Sequence, residues 1–177
     1  LQELRTRGFF AGKKVVRADW PLSAAQRRLW IIDRLRPGLP AYNMAEALRL
    51  DGALDVGALR LALGRLVARH ETLRTTLVAA DGSEPRQVVG AADGFVLREA
   101  EVSGAVDPEG AAQALAAEEA LAPFDLARGP LFRATLGRRA AQRHLLLCTL
   151  HHIVSDAWSM QVLARELVAL YTAGESD

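Results

Sequence analysis

From Pro21 onward the apolar positions alternate between helical and strand-like spacing. Ser23-Ala24-Ala25-Gln26 is a Ser-x-x-Gln capping box and predicts a helix start. Leu29, Ile32 and Leu35 give that helix an apolar stripe, and Pro37-Gly38 ends it. Residues 43–50, with Met44, Ala45, Ala47, Leu48 and Leu50, predict a strand. Asp55 caps a second helix to about residue 70, with Val56, Leu59, Leu63, Leu66 and Val67 on one face. Residues 73–78 before Asp81-Gly82 read as a strand into a turn, and residues 96–102 as another strand. Asp107-Pro108 sets an N-cap and a first-turn proline for an alanine-rich helix that stops at Pro123. Residues 131–136 and 145–150, separated by the polar run 137–144, predict a two-stranded hairpin. A last amphipathic helix carries Val162, Leu163, Leu167 and Leu170, with Ser159 expected as its cap.

Strands and helices therefore interleave, and one strand pair is antiparallel. That predicts an α/β fold, a two-layer sandwich in which a mixed, largely antiparallel sheet packs on helices, rather than a doubly wound parallel sheet. Residues 1–20 mix basic and apolar residues without a period and read as a leader or linker, leaving 21–177 as the folded unit.

Composition narrows the partners. Lys and Arg number 22 against 21 Asp and Glu, so the near-neutral chain gives no reason to expect nucleic acid or an anionic membrane. Cys148 is the single cysteine, which excludes an intrachain disulfide and suits a reducing compartment. With no apolar stretch of membrane-spanning length and no signal-peptide pattern at Leu1-Gln2-Glu3-Leu4-Arg5, a cytoplasmic location is expected.

The candidate chemistry gathers at His151-His152-Ile153-Val154-Ser155-Asp156-Ala157-Trp158-Ser159, between an apolar strand and a helix. Neighbouring strand residues point to opposite faces, so one histidine should face a pocket and the other the interior. An imidazole there suits proton removal near neutral pH. Asp156 could hold a histidine ring or bury itself against a cation. Adjacent histidines on opposite faces do not easily share a metal, so no metal site is expected. Ser155 and Ser159 lack a Gly-x-Ser-x-Gly elbow, and Cys148 in an apolar strand reads as an inert core thiol.

The same residues resemble a known family. His151-His152-Ile153-Val154-Ser155-Asp156 matches the His-His-x3-Asp signature of nonribosomal peptide synthetase condensation domains and their chloramphenicol-acetyltransferase-like superfamily. Leu22-Ser23-Ala24-Ala25-Gln26-Arg27-Arg28-Leu29-Trp30 is similar to the opening condensation motif. Arg69-His70-Glu71-Thr72-Leu73-Arg74-Thr75-Thr76-Leu77 is similar to the second, and residues 124–133 resemble the segment before the active-site strand.

The resemblance implies a chloramphenicol acetyltransferase-like lobe and peptide-bond formation between carrier-bound thioesters, with His152 deprotonating or positioning the acceptor amine. It implies a structural Asp156, with Arg74 as its partner, and His151 in support. It implies no directly bound cofactor, the substrates arriving on 4'-phosphopantetheine arms of donor and acceptor carrier proteins. Where the family has glycine this chain has Ala157; a Cβ there would cost roughly 1–2 kcal/mol at a positive φ, or else narrow the channel for the arm. The resemblance implies a second lobe that is not expected within these residues, so the isolated 177-residue chain is expected to be inactive. Tyr42-Asn43-Met44 with the second motif resembles the subtype taking an L-configured donor, against a starter subtype taking a fatty acyl group. The alternatives are a coenzyme A-dependent acyltransferase of the same superfamily and a non-catalytic recruitment module; an epimerisation domain fits Asp156-Ala157-Trp158-Ser159-Met160 less well.

Overall fold

The computed structural model describes residues 15–80 and 83–174, with side chains from Trp20 onward. Its elements are β1 (Val15–Pro21), α1 (Ala24–Leu35), β2 (Asn43–Asp51), α2 (Val56–Arg69), β3 (Thr75–Val78), β4 (Arg86–Gly90), β5 (Arg98–Glu101), α3 (Pro108–Leu121), β6 (Phe132–Ala140), β7 (Arg143–His151) and α4 (Ala157–Gly174). The strands divide into two sheets, ordered β1-β4-β3 and β2-β7-β6-β5. All pairings are antiparallel except β5 with β6.

The α/β class and the mixed, largely antiparallel pairing are as the sequence predicts. The caps also form as predicted. Ser23 Oγ accepts from Gln26 N while Gln26 Oε1 accepts from Ser23 N, and Asp55 and Asp107 accept from Ala58 N and Gly110 N. Two expectations differ, and one strand was not expected. The last six residues of the expected leader, 15–20, belong to β1, which pairs with β4; residues 1–14 lie outside the described residues. The expected strand at 73–78 begins as a 3-10 turn at Glu71–Arg74, so only Thr75–Val78 is extended. Its partner β4 carries no alternation that announces it.

The larger sheet is covered on both faces, as strand periodicity requires. Leu146 and Leu150 of β7 and Phe132, Ala134 and Leu136 of β6 pack with Leu59, Leu63, Leu66 and Val67 of α2 and Leu167 of α4. The opposite face of β7, Leu145 and Leu147, packs against Ala112 and Leu115 of α3. Helix α3 sits there because β5 and β6 run parallel and need a crossover between them.

A third cluster, Leu22, Leu77, Phe124, Leu126, Leu131 and Ile153, joins the smaller sheet to the end of β7. The segment before β6 turns at Gly129, whose φ is +55°. A Cβ there would meet Thr76 Cγ2 at 2.7 Å, so the close approach to β3 requires glycine.

Candidate active site

Strand β7 ends at His151, and the chain then turns into α4 through residues 152–156. The two histidines separate as strand geometry predicts. His151 is 4 % exposed and joins the interior, while the following His152 is exposed to solvent. His151 N–H donates to Leu131 O at 3.0 Å, and His152 N–H donates to Tyr42 O at 2.8 Å. The turn is thus fixed between the strands on either side of β7.

Each ring has one nitrogen whose hydrogen-bonding role is fixed by its partner. His151 Nδ1 accepts from Ile153 N–H at 3.1 Å, so this nitrogen carries no proton. The ring meets Phe124 edge-on at 6.0 Å and Tyr42 at 6.3 Å. Burial, with a smaller contribution from the charge of His152, pushes His151 down to about 4, so it is neutral at physiological pH. His152 Nδ1 lies 2.8 Å from Ser155 O. A carbonyl can only accept, so Nδ1 carries the hydrogen and the neutral ring keeps its lone pair on Nε2. An exposed imidazole with a fixed Nδ1–H is arranged to take a proton at Nε2.

Asp156 is not the buried partner of Arg74. It is exposed and caps α4, its Oδ1 accepting from Ser159 N at 2.8 Å and Ser159 Oγ at 2.6 Å. Those two bonds hold its carboxyl below the usual range. Ser159 is therefore the third helical residue and not the cap. Arg74 donates instead to Gly90 O at 2.5 Å and Ala68 O at 3.4 Å, and lies 3.8 Å from Glu71. It ties the end of α2 to β4, a role that depends on a strand the sequence pattern does not announce. Asp156→Ala should accordingly leave a folded protein with a slightly lower Tm, where a buried ion pair would have produced collapse. Thermal melts at neutral pH check this, and Asp156→Asn, another good cap, should restore the wild-type value.

Ala157 is the first residue of α4 and has helical backbone, so its position needs no positive φ. Of the two expected consequences of alanine, strain is thereby removed and the space taken by the methyl group remains. That methyl group helps line a cavity of about 330 Å³ between the larger sheet and α4, with Met44, Leu66, Phe132, Cys148 and Met160. Burial pushes the Cys148 thiol up to about 12, which makes it inert as a nucleophile, as expected.

Several supporting groups were invisible as such in the sequence. Ser155 acts through its backbone carbonyl, and Tyr42 through both its carbonyl and its ring. Gln26 Nε2 donates to Ile153 O at 3.2 Å and Gln87 Oε1 at 3.1 Å, linking α1 to the turn. The motif-like stretches containing Gln26 and Phe124 were the available signal.

The family whose sequence model matches is the Condensation domain, over residues 16–177. The chain is 46% identical over 157 residues to a linear gramicidin synthase polypeptide of Brevibacillus parabrevis, covering 86% of this chain and 2% of that protein. It is 45% identical over 158 residues to phosphinothricin tripeptide synthetase PhsC of Streptomyces viridochromogenes, covering 88% of this chain and 14% of that protein. Among solved structures, the starter condensation domain of rhizomide synthetase RzmA superposes with a TM-score of 0.82 at 27% identity, over 89% of this chain and 39% of that one. The first condensation domain of the CDA synthetase gives 0.78 at 30% identity, over 88% and 40%. The chain thus spans well under half of these solved chains and a small fraction of the curated synthetases.

Proposed function

Because the chain belongs to the condensation domain family, we propose that it forms amide bonds between two carrier-bound thioesters in nonribosomal peptide synthesis. The acceptor's α-amine attacks the donor's thioester carbonyl. The C–N bond forms, the C–S bond breaks, and the donor's 4'-phosphopantetheine leaves as a thiol. The amine's excess proton passes to His152 Nε2 and then to the departing sulfur. The observation that carries this reading is the Nδ1–H bond from His152 to Ser155 O, which leaves Nε2 free on the exposed side. A thioester is already activated, so positioning the two arms supplies much of the remaining acceleration.

Donor and acceptor carrier proteins are the partners, and the protein itself binds no resident cofactor. A substrate channel needs a second wall, which we assign to the family's carboxy-terminal lobe. The isolated 177 residues should therefore not turn over. The donor is an L-aminoacyl or peptidyl group.

The test loads the donor carrier with an L-aminoacyl, D-aminoacyl or fatty acyl group and the acceptor carrier with an amino acid. Single-turnover product formation is then followed in a complete condensation domain carrying these residues. The expected result is fastest transfer from the L-donor onto the carrier-bound amine. Preference for the D-epimer or the fatty chain overturns the donor assignment. Transfer from acyl-coenzyme A to a free acceptor, with none between carriers, makes the protein a coenzyme A-dependent acyltransferase instead.

A further inference from the structure

We infer that Arg133 is a positioning residue for His152, acting through Phe124 and His151; this rests on reading His152 as the reacting group. Arg133 stands on β6, mostly buried, and takes no part in the chemistry above. Its Nη1 donates to Pro123 O at 3.0 Å, and its Nη2 to Glu119 O at 3.1 Å and Ala122 O at 2.8 Å. Its guanidinium lies 3.8 Å over the centre of the Phe124 ring. Phe124 in turn meets the His151 ring edge-on. One side chain thus fixes both the last carbonyls of α3 and the aromatic wall behind His151.

A second strand holds the same helix end. Asn43, directly across from His151 on β2, donates through Nδ2 to Ala120 O at 2.7 Å and Ala122 O at 2.9 Å. The carbonyls closing α3 are therefore bound by polar side chains from both strands that flank β7. This helix end is partly buried, so its carbonyls need protein donors, and the two side chains that supply them also fix what lies beside it. The Arg133 cation is further anchored by Glu119, which sits 3.7 Å from Nε and accepts from Thr135 Oγ1 at 2.9 Å.

The displacement has a path to the reacting nitrogen. His151 O accepts from Val154 N at 3.0 Å and from Ser155 Oγ at 3.4 Å. Ser155 O holds His152 Nδ1. If Phe124 loses its support, the His151 ring shifts, the turn relaxes, and Ser155 O no longer selects the Nδ1–H tautomer. This path ends at the reacting nitrogen of His152, so the loss falls on kcat.

The experiment uses a complete condensation domain carrying these residues, with Arg133→Met, Arg133→Lys, Phe124→Leu and the Arg133→Met/Phe124→Leu pair. Nitrogen-15 histidine NMR reads the His152 tautomer, and single-turnover kinetics reads transfer. Arg133→Met should reduce the Nδ1–H population and lower kcat roughly ten- to hundredfold, with the acceptor KM nearly unchanged. Lysine should recover part of the loss, and the double variant should lose little more than the larger single loss. An unchanged tautomer and kcat in folded Arg133→Met, or fully additive losses in the pair, would overturn the inference. Should Arg133→Met fail to fold, Arg133→Lys and Phe124→Leu carry the same readouts. Absence of carrier-to-carrier transfer in the wild type would count against the proposed function alone, because the tautomer signal decides the positioning role by itself.

Discussion

Replacing His152 by alanine should lower amide formation by about 10²-fold or more while leaving Tm essentially unchanged. The ring is exposed, and its one side-chain hydrogen bond among the described residues, to Ser155 O, is replaced by water when it is removed. No buried surface and no buried partner is lost, so stability has nothing to give up. What disappears is the only imidazole in the turn with a free lone pair facing solvent. Quenched single-turnover assays and thermal melts on the same preparation check both halves. A variant that condenses at the wild-type rate would remove His152 from the mechanism, and one that melts much earlier would contradict its exposed placement.

Replacing His151 should do the reverse. His151→Ala opens a cavity beside Phe124 and leaves Ile153 N–H without its acceptor, at a cost of roughly 2–4 kcal/mol. The protonation of this ring adds a pH signature. Its folded value of about 4 lies below the 6.5 of a free histidine. Between those values the unfolded chain binds the extra proton and the folded chain does not. The contribution is therefore complete above pH 6.5 and is lost as pH falls toward 4, by about 3 kcal/mol in total. His151→Phe keeps a ring in the core and cannot titrate, so its denaturation free energy should fall less steeply over that window. Parallel pH profiles for the two proteins would show that His151 is not buried neutral.

The local grammar of the chain was legible because its signals are short-range. Ser23 with Gln26, Asp55 and Asp107-Pro108 mark helix starts by bonds within three residues. The hairpin of β6 and β7 announced itself by two apolar runs around a polar turn. Strand β4 did not, because Arg86-Gln87-Val88-Val89-Gly90 is short and lacks alternation. Without β4 the place of Arg74 could not be read, since its principal acceptor is the Gly90 carbonyl. The pairing of Asp156 with Arg74 came from resemblance, and the actual cap at Ser159 N was three residues away and readable. That His151 and His152 face opposite ways followed from strand parity, and which of them faces solvent came from the resemblance. The groups that fix their tautomers did not, since Ser155 and Ile153 act through backbone atoms that every residue possesses.

The central claim is that His152 works as a base through Nε2. It is tested most directly by measuring the pH dependence of carrier-to-carrier transfer beside the NMR titration of His152 in the same protein. The rate should rise with the neutral fraction of His152, with its midpoint following the one NMR measures, and the neutral form should be the Nδ1–H tautomer. A rate that stays flat while His152 titrates, or a neutral ring protonated at Nε2, would contradict the account.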